Sequence, residues 1–383
     1  MRPRYVMRLT SRSPAPTPRH LSLCHSCTHH PEVLMSRHLA YSAAIWEGQN
    51  LLLDAFPEVV IMGLGVPTPT GVFGTTTGLA ERYGLDRVVD IPAAENGITG
   101  VALGASLMGM RPILVHPRVD FAVLSMEQIV NQAAKWHYMY GGSSTAPLTI
   151  RMIIGRGWGQ GPQHSQSLQS WFAHIPGLHV LMPATPADAK DLLVSSVLSD
   201  SPSVILEHRW LYGLSGPVLD GLNPTPLGKA AIRLPGADVT LVATSHMVIE
   251  ALSAADWLKT VGISLEVIDL RTIAPLDIDT CIESVEKTGR LLVADTSHAQ
   301  FGVSAEVIAR ISEGLSAPMK TNPQRVALPQ CPSPTTPSLA QAFYPRWREI
   351  VAAACRMCDV ATPPLPVPQD FEDTPDPTFV GPY

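Results

Sequence analysis

Short runs of β-branched and aliphatic residues alternate along the chain with stretches in which apolar residues recur every three or four positions. The apolar runs predict strands at 59–64, 87–91, 112–116, 148–154, 179–183 and 203–208. The clearest helical stretch is 125–140, in which one face carries Met126, Ile129, Val130, Ala133 and Ala134. Such alternation predicts crossover units and a mostly parallel sheet covered by helices on both sides.

The pattern resumes after an interruption rich in glycine and proline, which indicates a linker. Further strands are predicted at 238–244, 264–270 and 290–295, and further helices at 248–260, 277–287 and 303–313, the last helix expected. A chain of 383 residues exceeds the usual size of one hydrophobic core. We therefore predict an α/β protein with two domains, each a mostly parallel sheet covered by helices. The expected division is a disordered extension at 1–34, a first domain at 35–212, a linker at 213–229, a second domain at 230–358 and a proline-rich tail at 359–383.

Charge and composition exclude several classes of protein. The net charge is −6 and no long basic run occurs, which argues against nucleic acid and anionic membrane surfaces as partners. No segment reaches the roughly 18 uncharged apolar residues that a membrane span requires. Residues 1–34 are basic enough to resemble an organellar transit peptide, but their prolines break an amphipathic helix, so a disordered extension or a true start at Met35 is the simpler hypothesis. We expect a cytoplasmic protein.

Six cysteines in a chain of this length do not form a disulfide framework. Two CxxC pairs occur, Cys24/Cys27 and Cys355/Cys358, from which zinc sites could in principle be built. The first pair lies in an unpatterned tail and the second on a helical terminus. Reduced thiols are therefore preferred over structural zinc.

A glycine-rich stretch, GRGWGQG at 155–161, follows a predicted strand but does not match a nucleotide-binding fingerprint. Position 160, where a third glycine would be required, is Gln160, and no acidic residue closes a following strand at the usual distance. The stretch leads instead to His164, on a glycine-flanked turn that enters a helix. A histidine placed in this way could face a small ligand, or could equally be a capping or surface residue.

Glu95 is the second candidate, because it is a single carboxylate among Ala, Gly and Ile ahead of a segment rich in small residues, ENGITGVALGASLMGM. Low-dielectric surroundings raise the pKa of a carboxyl group and suit it to proton exchange with a bound base. Glycines at 97, 100 and 104 permit the close approach of a backbone or a flat ring. On the residues alone, however, a glutamate that caps its own helix is the better interpretation.

Several longer segments together resemble a known family. These are RVVDIPAAENGITGVALGASLMGMRPI, DFAVLSMEQIVNQAAKWHYMYGG, HSQSLQSWFAHIPGLHVLMPATPADAKDLL and PSVILEH, followed by VIDLRTIAPLDIDT and QFGVSAEVIARI. Over residues 36–357 the chain resembles the beta subunit of the decarboxylating component of 2-oxo acid dehydrogenase complexes, of the pyruvate, branched-chain and acetoin types, within the transketolase-like superfamily. The resemblance implies a pyrimidine-binding domain of the thiamine diphosphate fold followed by a transketolase C-terminal-like domain.

The resemblance also assigns roles. It implies that Glu95 hydrogen-bonds the ring nitrogen of the aminopyrimidine of thiamine diphosphate, and that His164 faces the substrate or the reaction intermediate. Position 64, where relatives carry a cofactor-binding acid in GEDV, is Leu64 in GLGV, which puts in doubt a carboxylate chain that would include Glu127. Further polar candidates near the mouth of the substrate pocket are His116, Arg118 and His137.

The superfamily's magnesium motif, GDG followed about thirty residues later by Asn, is missing from this sequence. Thiamine diphosphate requires a magnesium ion held by oxygen ligands, and the resemblance implies that an alpha subunit supplies them. The expected assembly is an α2β2 heterotetramer in which beta chains pair through their second domains, with a lipoyl-bearing acyltransferase as a further partner.

Three functions remain open at this point. The first is 2-oxo acid decarboxylation with transfer of the acyl unit to lipoyl groups. The second is a two-component transketolase-like or acyloin-forming transferase that passes the unit to a carbonyl or sugar acceptor, since the loops at 116–121 and 153–167 differ from those of the large lipoyl-linked complexes. The third is a non-catalytic scaffold subunit that retains the fold.

Overall fold

The computed structural model describes residues 37–157 and 159–366. Within them the strands are β1 Arg37–Ala40, β2 Val59–Gly63, β3 Val88–Asp90, β4 Arg111–His116, β5 Thr149–Ile154, β6 His179–Leu181, β7 Ser203–His208, β8 Ser215–Val218, β9 Ala231–Leu234, β10 Val239–Ala243, β11 Leu265–Asp269, β12 Thr272–Ala274, β13 Leu291–His298 and β14 Gln324–Leu328. The helices are α1 Tyr41–Ala55, α2 Leu79–Tyr83, α3 Glu95–Leu107, α4 Val119–Ala122, α5 Ala134–Met139, α6 Gln169–Ala173, α7 Pro186–Leu198, α8 His246–Lys259, α9 Ile278–Thr288, α10 Val303–Gly314, α11 Pro337–Phe343 and α12 Trp347–Met357.

The first sheet has seven strands in the order β12-β6-β7-β5-β4-β2-β3, and its strands from β2 to β7 pair in parallel. Successive residues of a strand enter different core clusters on its two faces: Val60 packs with Ile129 and Phe172, whereas Ile61 packs with residues of α1 and α7 such as Ile45 and Leu192. Burial on both faces explains why these strands are continuous apolar runs in the sequence rather than alternating ones.

The second sheet has five strands in the order β14-β13-β10-β11-β9. All its pairs are parallel except β11 with β9, which is antiparallel. One strand crosses between the two halves of the chain, because β12 follows β11 in sequence but pairs antiparallel with β6 at the edge of the first sheet. The predicted α/β architecture with two mostly parallel sheets is confirmed.

A buried ion pair joins the two central strands of the first sheet. The Arg151 side chain on β5 donates from Nε to Glu207 Oε1 (2.6 Å) and from Nη2 to Glu207 Oε2 (2.9 Å), a bidentate pair with β7. The same guanidinium donates to Gln49 Oε1 at 2.8 Å, and the Tyr212 hydroxyl donates to Glu207 Oε2 at 2.6 Å. Because each nitrogen of the guanidinium and each carboxylate oxygen makes at least one hydrogen bond, the pair helps to fix the register of the strands whose carboxyl ends carry the candidate site.

Local details differ from the sequence expectations. The helix predicted at 125–140 consists of a 3₁₀ turn at Val123–Ser125, a π-helix at Glu127–Ala133 and α5. The expected linker contains β8, which pairs antiparallel with β1. Two helices, α11 and α12, follow the helix predicted at 303–313, and α12 ends at Met357, so the Cys355/Cys358 pair lies at a helical terminus as expected. The predicted extension at 1–34 and most of the predicted tail lie outside the described residues.

Candidate active site

The parallel strands of the first sheet end at one common edge, where ligands bind in folds of this class. At this carboxyl edge Leu64 follows β2, Glu95 follows β3, His116 closes β4 and His208 closes β7, while β5 leads into the loop of His164. The topology therefore brings the principal sequence candidates to one side of the molecule.

Glu95 is the first residue of α3 and is half-buried. Its backbone is held, because Thr99 Oγ1 lies 2.8 Å from the Glu95 carbonyl oxygen and 2.9 Å from Ser125 Oγ. No side chain caps this helix through a hydrogen bond, but Glu95 lies in its first turn, where the helix dipole favours an acid, as the residues alone indicated. Within the described part of the chain, the Glu95 carboxylate makes no hydrogen bond and no ion pair.

The helix that begins at Glu95 leaves one face uncovered. A Cβ built at Gly97 or Gly104 would meet no neighbouring atom within 4 Å. Val101, which lies between the two glycines, is 56% exposed, and Met108, which follows them, is 85% exposed. The four residues recur at helical spacing and form an exposed stripe of small and apolar residues.

The loop that carries His164, residues 155–157 and 159–167, is termed the histidine loop. Its base is closed by the Gly155 N–H, which donates to the Gln166 carbonyl at 3.2 Å. Gly155 has φ +76°, and a Cβ there would lie 2.3 Å from the imidazole of His208. Glycine is required at this position on both grounds. The half-buried His164 ring meets the edge of the Phe121 ring, with centroids 5.4 Å apart.

His116 and Arg118 are buried rather than at the mouth of a pocket, and Arg118 is hydrogen-bonded to the histidine loop. The exposed fractions are 1% for His116 and 2% for Arg118. Burial lowers the pKa of His116 to about 4, so the ring is neutral at pH 7, and Nε2 has no hydrogen-bond partner. Burial and the nearby Arg209 guanidinium lower the pKa of Arg118 to about 10, which leaves it charged.

The remaining candidates are placed differently. His137 is near the end of α5, which leads to the start of β5, so it belongs to the opposite edge of the sheet; it is exposed, with Nδ1 3.2 Å from the Ser144 carbonyl oxygen. Glu127 is exposed and accepts a hydrogen bond from Gln132 at 3.0 Å. Leu64 is 44% exposed. The structure thus separates His137 from the carboxyl-edge group.

Sequence reasoning missed two buried imidazoles beside the histidine loop. His208 lies at the end of β7 and His246 is the first residue of α8, and the centroids of their rings are 4.1 Å apart. Burial lowers the pKa of His208 to about 3 and, with the approach of His208, lowers that of His246. The position of His208 at the end of an apolar run was the one signal that could have indicated it.

No group of three or more metal-ligating side chains converges anywhere in the described residues. None of the helices described is long and apolar enough to cross a membrane.

Comparison with known proteins extends over both domains. Residues 37–215 match the model of the transketolase pyrimidine binding domain, and residues 228–350 match that of the transketolase C-terminal domain. The beta subunit of acetoin:2,6-dichlorophenolindophenol oxidoreductase from Cupriavidus necator is 38% identical over 330 residues, which cover 84% of this chain and 97% of that one.

Two further relatives are pyruvate dehydrogenase E1 component beta subunits. The mitochondrial beta-2 subunit from Oryza sativa is 40% identical, covering 85% of this chain and 90% of its own, and the Bacillus subtilis subunit is 38% identical, covering 82% and 97%. A solved split-gene transketolase, an inactive beta4 tetramer, has the same fold, with a TM-score of 0.70 at 22% identity over 84% of this chain and 99% of that one. The resemblance found in the sequence is confirmed, and the chain belongs to the transketolase-like family that contains the beta subunits of pyruvate and acetoin dehydrogenases.

Proposed function

We propose that the chain is the beta subunit of a thiamine diphosphate-dependent 2-oxo acid decarboxylase/dehydrogenase, which acts with an alpha subunit to decarboxylate a 2-oxo acid and transfer the acyl unit to lipoyl groups. The observation that carries the proposal is Glu95, a carboxylate at the carboxyl edge of a pyrimidine-binding fold with no hydrogen-bond or ion-pair partner in the described chain. A half-buried carboxylate with no partner in its own chain is available to a partner from outside the chain.

The residues present fit one half of the cofactor. The free carboxylate of Glu95 and the open space over Gly97 suit the aminopyrimidine ring, whereas the described residues offer no cluster of oxygen ligands for magnesium. When bound, thiamine diphosphate supplies the carbanion chemistry. Glu95 would share a proton between its carboxylate oxygen and the ring nitrogen, and the histidine loop would present the His164 imidazole to the substrate and exclude water.

Because the described part of this chain offers no ligand cluster for the magnesium and diphosphate half of the cofactor, we infer that an alpha subunit holds that half. The stripe of Gly97, Val101, Gly104 and Met108 on α3 supports this, because such a surface next to the cofactor-binding residue is suited to cover by another chain. We further propose pairing of two beta chains through their second domains in an α2β2 assembly, association with a lipoyl-bearing acyltransferase, and a cytoplasmic location. Mass measurement of the co-expressed subunits and cell fractionation test these points.

The test of the catalytic proposal is Glu95→Gln in the reconstituted αβ complex. This change removes the exchangeable proton but keeps the shape, and we expect decarboxylation to fall by at least about 100-fold, the scale typical of acid–base groups. Glu81→Gln is the matched control, since Glu81 also lies in the first turn of a helix but on an exposed surface. Activity of the Glu95 variant within a few-fold of the unmodified complex contradicts the proposal.

The competing functions are separated by acceptor and by cofactor binding. Activity with a lipoyl domain supports the proposal, whereas activity with free aldehydes, ketones or sugars alone indicates a transferase. Titration of thiamine diphosphate and magnesium into the copurified complex identifies a scaffold, which shows no saturable binding.

A further inference from the structure

The segment that follows β4 holds the histidine loop at three points. This segment, residues 118–121, is termed the clamp; it is formed by Arg118, Val119, Asp120 and Phe121. Because β4 and β5 are neighbouring parallel strands, the clamp and the histidine loop leave the sheet side by side at the carboxyl edge. The contacts between them involve the beginning, the middle and the end of the histidine loop.

Arg118 holds the beginning of the histidine loop. Its Nη1 donates to the Gly155 carbonyl at 2.6 Å and its Nη2 donates to Gln160 Oε1. The guanidinium makes no ion pair with a described residue, although it is 2% exposed. A buried charge without a counterion is costly. Both hydrogen-bond acceptors of this guanidinium lie on the histidine loop, so a displaced loop would leave Arg118 buried without them.

The other two contacts hold the middle and the end of the histidine loop. Asp120 Oδ1 accepts a hydrogen bond from Gln166 Nε2 at 2.8 Å, next to the backbone bond that closes the loop. The Phe121 ring lies at 85° to the His164 ring, with the centroids 5.4 Å apart. Charged hydrogen bonds therefore flank the contact between the Phe121 and His164 rings.

We propose that Arg118 and Asp120 are positioning residues that fix the histidine loop so that His164 faces the substrate. The inference rests on the role of His164 in the proposed function. Without the clamp, the loop would retain its backbone closure at Gly155 and Gln166, but its interior would be free to shift. A displacement of about 1 Å at a reacting group can cost on the order of 100-fold in rate, so we expect losses of about 10- to 100-fold in kcat.

The first test measures the histidine loop itself by amide hydrogen exchange in the αβ complex. Arg118→Met removes both donors at nearly constant size, and we expect faster exchange in peptides that span 159–167. The matched control is Arg111→Met, because Arg111 lies at the other end of β4 and also donates to two backbone carbonyls, of Val197 (2.8 Å) and Ser199 (3.0 Å). We expect the control to leave exchange in the histidine loop and the activity of the complex unchanged.

The second test is a double-mutant cycle between Arg118→Met and His164→Ala, measured as kcat and KM of the complex. If Arg118 acts through His164, Arg118→Met lowers kcat about tenfold or more in the unmodified background but less than about twofold when His164 is already alanine. Asp120→Asn keeps an acceptor for Gln166 and should retain more than half the activity, whereas Asp120→Ala should not.

The outcomes separate this inference from the proposed function. Unchanged exchange in Arg118→Met shows that the clamp does not hold the loop, and multiplicative losses in the cycle show that Arg118 does not act through His164; either result overturns the inference while leaving the proposed function intact. Full activity of His164→Ala overturns the substrate role of His164 and the positioning role with it. Loss of activity only in Glu95→Gln, with the clamp variants fully active, also overturns the inference.

Discussion

Acid should destabilise this protein through histidines that are buried in the neutral form. Burial lowers the pKa of His116 to about 4 and that of His208 to about 3, and it also lowers the pKa of His246. In the unfolded chain each ring titrates near a pKa of about 6.5. Because the folded pKa values are depressed, the stabilisation is fully present above pH 6.5 and is lost as the pH falls towards the folded values.

The magnitude follows from proton linkage. Each histidine that stays neutral in the folded state but is protonated in the unfolded state changes the free energy of unfolding by about 1.4 kcal/mol per pH unit. Between pH 6.5 and pH 5 this amounts to about 2 kcal/mol for His208 alone. The total free energy of unfolding of a folded domain is typically about 5–15 kcal/mol, so this single residue would remove a substantial part of it. The Arg118 and Arg346 guanidinium groups near His208 act in the same direction, since they disfavour a further positive charge.

Urea unfolding of the protein and of His208→Asn at pH 7.5, 6.5, 5.5 and 5.0 isolates this contribution. The variant should be less stable at neutral pH, because Asn does not restore the packing against His246, but its stability should fall less steeply with acid, by about 1.4 kcal/mol per pH unit. His137→Asn, which removes an exposed imidazole, is the control for the loss of a histidine. Equal slopes for the His208 variant and the unmodified protein would refute the reasoning.

Two further predictions concern the framework of the site. Arg151→Met should lower the free energy of unfolding by about 3–5 kcal/mol in urea titrations, since it leaves the Glu207 carboxylate buried without its partner; Asp54→Asn, which breaks an exposed ion pair, should cost less than about 1 kcal/mol. Gly155→Ala should reduce both stability and activity, since it combines a positive φ with a clash against the buried imidazole at the end of β7. Gly159 also has a positive φ, but a Cβ there would meet no neighbouring atom, so Gly159→Ala should lower the free energy of unfolding by only about 1–2 kcal/mol. Equal effects of the two substitutions would exclude the clash as the cause.

The regular part of the fold was predictable from the sequence for a physical reason. Strands such as β4 and β5 are buried on both faces, so their apolar character is continuous and independent of their neighbours. The three residues of β12 and the pairing of β1 with β8 were not predictable, because their stability comes from partners far away in sequence. The π-helix at Glu127–Ala133 preserves a helical apolar pattern, so periodicity alone cannot reveal it.

The candidate site was predictable to a different extent. Glu95 and His164 stood out because each is a polar residue in a glycine-rich setting, and the topology places both at the carboxyl edge. The burial of Arg118 could not be foreseen, since its guanidinium is hydrogen-bonded to the histidine loop, and nothing local in the sequence marks that contact. His137 shows the converse, because its position on the chain close to other candidates gave no information about which edge of the sheet it occupies.

The two parts of the candidate site differ in how many of their polar groups are hydrogen-bonded within this chain. Near His164, Arg118 and Asp120 of the clamp hydrogen-bond to the histidine loop within this chain, which supports the loop without a partner. Around Glu95 the backbone is anchored through Thr99, but the carboxylate has no partner in the described chain and the adjoining face of α3 is bare. Under the proposed function, such a site would hold the loop of His164 in place by itself, and Glu95 would act only once a second chain and the cofactor ring are bound.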